Sequence, residues 1–136
     1  MLMNVTRSDV LAIRSEYDIV LARQTARALC QELNFSLVEI TKMVTAASEI
    51  ARNTLIHGKG GSMRWELLVE NGRSGLRLVF EDAGPGIADI GLAMSDGWTS
   101  GSGLGKGLPG TKRLVNDFDI QSQVGTGTRV SIVRWK

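Results

Sequence analysis

Asn71-Gly72 separates two stretches of strand character, about Ser62 to Glu70 and Gly75 to Phe80. Asn-Gly readily takes positive φ at both central residues of a two-residue loop, so the pair commits the middle of the chain to an antiparallel hairpin. Upstream, Ser8 to Ser15 alternates, with Val10 and Ala12 set against Leu11 and Ile13, and predicts a strand. Asp18 to Leu33 carries Ile19, Ala22, Ala26, Leu29 and Leu33 at helical spacing. Asn34 supplies a stop. Ser36 with Glu39 has the pattern of a capping box opening a second helix, which runs to about His57 and ends at Gly58 as a C-terminal cap. Downstream, Ala83 to Gly86 breaks regular structure, and residues 97–110 hold six glycines. Thr111 to Phe118 reads as a short helix and Asp119 to Val124 as a strand; Gly125-Thr126-Gly127 then turns into a last strand, Thr128 to Trp135. The order β-α-α-β-β-loop-α-β-β predicts an α+β two-layer sandwich, with helices on one face of a mixed, mostly antiparallel sheet.

The 136 residues form one domain, 1–136, long enough to bury roughly two-thirds of the unfolded surface. Sixteen Lys and Arg against fourteen Asp and Glu leave a net charge of +2. The basic residues are scattered and aromatics are only 5%, which argues against a nucleic-acid surface. Cys30 is the single cysteine, so an intrachain disulfide and a Cys-rich metal site are both excluded. Its neighbours Leu29 and Leu33 suit a small buried hydrophobe. No run approaches the ~18 apolar residues of a membrane span, and the N-terminus lacks a signal pattern, so the expected location is cytoplasmic with no membrane contact.

On the second helix, Ile40, Met43, Val44, Ala47, Ala51 and Leu55 share one stripe. Glu49 and Asn53 fall roughly opposite it, four residues apart and therefore one above the other. One reading is a solvated helix face, which Lys42 on the same face suits. The other is a ligand site, because Thr45 and Ala46 beside the pair are small and Ile56 is apolar. In that reading the Asn amide oxygen suits Mg²⁺, a cation that prefers oxygen ligands. A Glu one turn away can deprotonate an attacking hydroxyl. His57, a turn further on, then lies near phosphate.

Asp82-Ala83-Gly84-Pro85-Gly86 is either a plain tight turn or a site where Asp82 accepts a hydrogen bond from an exocyclic amine such as adenine's. In the second case Gly84 and Gly86 let the base approach the backbone. The stretch Gly101-Ser102-Gly103-Leu104-Gly105-Lys106-Gly107 fails a Walker A pattern twice: Gly107 follows Lys106 where Ser or Thr is needed, and Ser100 occupies the first glycine position. Gly105 to Gly110 fits Gly-x-Gly-x-x-Gly, but no apolar strand precedes it and no acidic residue lies ~20 positions on. What remains is a Gly-rich loop running into a helix. Its backbone N–H groups can hold a triphosphate, with Lys106 adding charge, or it is a flexible linker.

In this order and spacing the motifs resemble the Bergerat (GHKL) ATP-binding family, over residues 36–136. Glu49-x-x-x-Asn53 matches its acidic/Asn helix motif and Asp82-x-Gly84-x-Gly86 its adenine motif. Gly101-Ser102-Gly103-Leu104-Gly105 matches the phosphate and lid motif, and Thr128 the threonine that helps hold adenine. Over almost the whole chain the sequence is similar to the stand-alone serine/threonine kinases of bacterial partner-switching modules, stressosome switch kinases among them. Glu16 to Val20, Ser48 to Asn53, Glu81 to Ile87 and Gly103 to Leu114 carry that likeness. It implies Mg-ATP as cofactor, with Asn53 as metal ligand, Glu49 as catalytic base and Asp82, Gly84, Gly86 and Thr128 around adenine. Gly101, Gly103, Leu104, Gly105, Lys106 and Gly107 then fall on the phosphates; Lys106 stands where that family carries a small residue. The implied partners are a STAS-domain protein substrate and a PPM-type phosphatase; a homodimer stays open. The alternatives are an anti-sigma factor kinase of the same fold and a non-catalytic ATP-dependent binding module.

Overall fold

The computed structural model describes residues 3–94 and 104–136. The hairpin forms as its turn residues dictate: Asn71 and Gly72 take φ of 53° and 76°, the left-handed pair that matches strand twist. They join β2 (Gly61–Glu70) to β3 (Arg73–Asp82), paired without a register break from Gly61↔Asp82 to Glu70↔Arg73. β1 (Asn4–Ile13) lies outside β2, with a register shift between Val5 and Arg7. A second hairpin, β4 (Asp117–Gln123) and β5 (Gly127–Trp135), adds through β5 to β3, giving the order β1-β2-β3-β5-β4. Every pair is antiparallel, so the sheet is not mixed as expected. The helical connection between β3 and β4 lets β5 rejoin the sheet beside β3 with β4 at the edge.

α1 (Glu16–Glu32) and α2 (Leu37–Ile56) cover one face of the sheet. α1 starts two residues before the expected Asp18 because Ser15 caps it, accepting from the Asp18 N–H; that cap also ends β1 at Ile13 and not at Ser15. Asn34, at φ 60°, stops α1 as read. α2 is buried on more than one side: Ala46, Ile50 and Thr54 are as enclosed as the expected stripe of Met43, Ala47 and Ala51, since α1, the sheet and a later helix all pack on it. Ala46 therefore belongs to the core and does not border an open gap. Cys30 is fully buried, and burial pushes its thiol up to about 12, so it is an inert packing group.

The Gly-rich region departs most from expectation. A short α3 (Ile90–Ala93) follows the turn after β3, and α4 spans Leu104–Lys112. The expected helix at Thr111–Phe118 thus lies several residues too late. Glycines and an internal Pro109 give α4 poor intrinsic propensity; packing forms it, through the buried Leu108 and Thr111. Phe118 goes to β4 instead, where it and Ile120 alternate onto the core.

The Ser36 capping box is present in both halves: the Ser36 hydroxyl accepts from Glu39 N–H, and the Glu39 carboxylate accepts from Ser36 N–H. Ser36→Ala is expected to cost about 1 kcal/mol in urea unfolding; an unchanged midpoint would show that the cap contributes nothing. The hydrogen bond from the Ser36 backbone holds the Glu39 carboxyl below its ordinary range. Its folded pKa lies under the unfolded one, so its contribution is full above pH ~4 and fades as pH falls through the folded value. The stability gap between wild type and Glu39→Gln should accordingly narrow on acidification below pH 4.

Candidate functional site

A cavity of about 340 Å³ lies at the C-terminal end of α2, between that helix, the sheet and α4, a size usual for small-molecule sites. Its walls are mostly apolar: Ile50 from α2, Phe80 from β3, Leu108 from α4, Ile120 from β4 and Val130 from β5. The two-residue period of the strands puts Asp82 on the same face as Phe80, and Thr128 on the same face as Val130. Asp82 and Thr128 are register partners, so the floor carries a carboxylate and a hydroxyl side by side. Asn53, Thr54 and His57 supply the polar groups of the helix wall.

Asp82 is oriented by its surroundings. Its Oδ1 accepts from the Gly84 N–H at 2.9 Å and from the Thr128 N–H at 3.3 Å. That leaves Oδ2, on the side facing Gly58, for a ligand. Gly58 is required for this approach: a Cβ there would run into the Asp82 carboxylate. The helix does end at Gly58 as expected, the Gly58 N–H donating to the Asn53 carbonyl at 3.1 Å, although positive φ begins only at Lys59 and Gly60. Gly86 does need its freedom, at φ 78° with the Gln123 backbone where a Cβ would sit.

On the helix wall, the Thr54 hydroxyl donates to the Ile50 carbonyl and is satisfied. His57 is partly buried, and that burial lowers its pKa, favouring the neutral imidazole. The Asn53 amide nitrogen is buried with no partner among the described residues. An orphaned buried amide is costly unless something else meets it. Because its two ends are interchangeable by rotation, the amide can offer either oxygen or N–H into the cavity. Among the described residues no group of three or more His, Cys, Asp and Glu could hold a metal, so a cation here would take few ligands from protein and the rest from phosphate and water, as Mg²⁺ commonly does.

The structure thus brings together Asn53, Asp82, Gly86 and Thr128, with Gly84 directly behind against Gly58. Glu49 is exposed one turn before Asn53 and is not part of the cavity wall. Leu104, Gly105, Lys106 and Gly107 form the opening turns of α4, not a loop, and Gly101 and Gly103 lie outside the described residues. The apolar walls and Ser122, which bonds to Thr128, escaped the sequence reading; the alternation Phe118, Ile120, Ser122 was the available signal. No helix among the described residues is long and apolar enough to cross a membrane.

The family described as Histidine kinase-like ATPase domain matches residues 14–134. The serine/threonine-protein kinase RsbT of Bacillus subtilis (strain 168) is 42% identical over 123 residues, covering 90% of this chain and 92% of that protein. An anti-sigma F factor of Clostridium kluyveri is 34% identical over 115 residues, 80% of each chain. Among solved structures, that of the RsbU and RsbW domains of Rv1364c from Mycobacterium tuberculosis superposes with a TM-score of 0.64 at 16% identity, over 96% of this chain and 33% of that longer one. At that identity it supports the fold alone.

Proposed function

Since the chain belongs to the histidine kinase-like ATPase domain family, we propose that it is an ATP-dependent serine/threonine protein kinase whose substrate is a STAS-domain protein in a partner-switching module. The carrying observation is the pairing of Asp82 and Thr128 on the floor of an apolar cavity, with the orphaned Asn53 amide on its helix wall. In this reading the apolar walls take the adenine ring, Asp82 Oδ2 accepts from its exocyclic amine, and the opening turns of α4 face the phosphates. Asn53 offers its amide oxygen to Mg²⁺, and Glu49 takes the proton of the acceptor hydroxyl. When bound, Mg-ATP supplies the phosphoryl group and the charge neutralisation that transfer needs. A PPM-type phosphatase as a second partner follows the likeness to partner-switching kinases alone.

A ligand that binds only the native state raises the melting temperature; at a hundredfold excess over Kd the gain is about 2.7 kcal/mol, or several degrees for a domain of this size. Mg-ATP should produce that rise, and ATP with chelator a smaller one. No rise at millimolar ATP in either condition would overturn the reading. Incubation with labelled ATP and STAS-domain proteins tests the transfer itself. Nucleotide-dependent partner binding without labelling would favour the non-catalytic module, and capture of a sigma subunit the anti-sigma alternative.

A further inference from the structure

Ser122, at the end of the inward row of β4, makes three hydrogen bonds with one hydroxyl. It accepts from the Ile87 N–H at 2.7 Å, donates to the Gly127 carbonyl at 3.1 Å, and lies 2.8 Å from the Thr128 hydroxyl. A hydroxyl has one proton and two lone pairs. With the Ser122 proton on the Gly127 carbonyl and one lone pair on Ile87, the contact with Thr128 can be made only if Thr128 donates its own proton to Ser122. No other arrangement makes all three bonds. Thr128 is then left with lone pairs alone, and it lines the same cavity as its register partner Asp82, whose carboxylate also only accepts when ionised.

We infer that Ser122 is a positioning residue that fixes the Thr128 hydroxyl as a hydrogen-bond acceptor, and that the resulting acceptor pair selects purine nucleotides with a 6-amino group over those with a 6-oxo group. The inference rests on the nucleotide reading above and adds the polarity of the base site to it. An exocyclic amine brings two N–H donors to the two acceptors, whereas a 6-oxo group sets a lone pair against both. A buried polar pair left unmatched is what makes such sites discriminate.

The test is the affinity of ATP and of inosine triphosphate (ITP), by titration calorimetry, for wild type, Ser122→Ala and Ser122→Thr. Wild type should prefer ATP at least tenfold. Removal of the Ser122 oxygen frees the Thr128 proton to turn into the cavity, so Ser122→Ala should lose roughly tenfold of that preference, the scale of one hydrogen bond. Ser122→Thr, which keeps the hydroxyl, should restore it. A purely structural Ser122 would weaken both nucleotides alike and leave the ratio unchanged, and that result overturns the inference. Equal binding of ATP and ITP by wild type overturns it too, while leaving the nucleotide site standing; failure of wild type to bind ATP removes the functional reading itself. Should Ser122→Ala misfold, Ser122→Cys, close in size and a weak donor, must show the same loss in the ratio.

Discussion

Asp82→Asn is expected to weaken ATP binding by about 1–3 kcal/mol, the usual cost of an unmade buried hydrogen bond, or a factor of roughly 5–150. The orientation of the new amide is forced. Two backbone donors, Gly84 N–H and Thr128 N–H, already converge on Oδ1, so the amide oxygen must stay there and the NH₂ must replace Oδ2. A donor then meets the donor amine of adenine. The substitution keeps shape and the turn, and changes only what the cavity offers the base. Titration of both proteins with Mg-ATP decides the matter: equal affinities would reduce Asp82 to a residue that shapes the turn after β3.

Much of this site could be read from the chain because local rules and tertiary needs agree there. Ser36 and Glu39 cap α2 as their spacing dictates, which fixes where Asn53 falls on that helix. Asn71-Gly72 sets the register of β2 on β3, which brings Asp82 opposite Gly61. Where packing overrides propensity the reading fails. α4 is built from glycines and a proline, yet it forms early because Leu108 and Thr111 are buried. Gly58 ends the helix as expected, but its reason for being glycine sits across the fold, in the Asp82 carboxylate. Spacing could put Ser122 on the inward row of β4 with Phe118 and Ile120 but could not show its role, since its partners come from residues 87, 127 and 128. A hydrogen bond across thirty-five positions leaves no periodic trace.

Glu49→Ala is expected to lower phosphoryl transfer by about 10²–10⁴-fold, the range for loss of a general base, while nucleotide affinity holds. Its position supports that separation. The carboxylate is exposed, one turn before Asn53 and outside the wall of the cavity proposed for adenine, open to an acceptor hydroxyl from another protein. Glu49 is also free of the ion pair that Arg52, on the neighbouring face, makes with Glu16 at 3.6 Å. Asn53→Ala should behave differently, losing the Mg²⁺-dependent part of ATP affinity together with transfer, because it removes a cavity group and not a base. Single-turnover transfer to a STAS-domain substrate, measured beside ATP titration with and without Mg²⁺, separates the two. Were Glu49→Ala to phosphorylate at the wild-type rate, the exposed carboxylate would be no more than a solvated side chain. The proton of the acceptor would then have to leave by another route, since transfer through a loose transition state draws chiefly on positioning and charge.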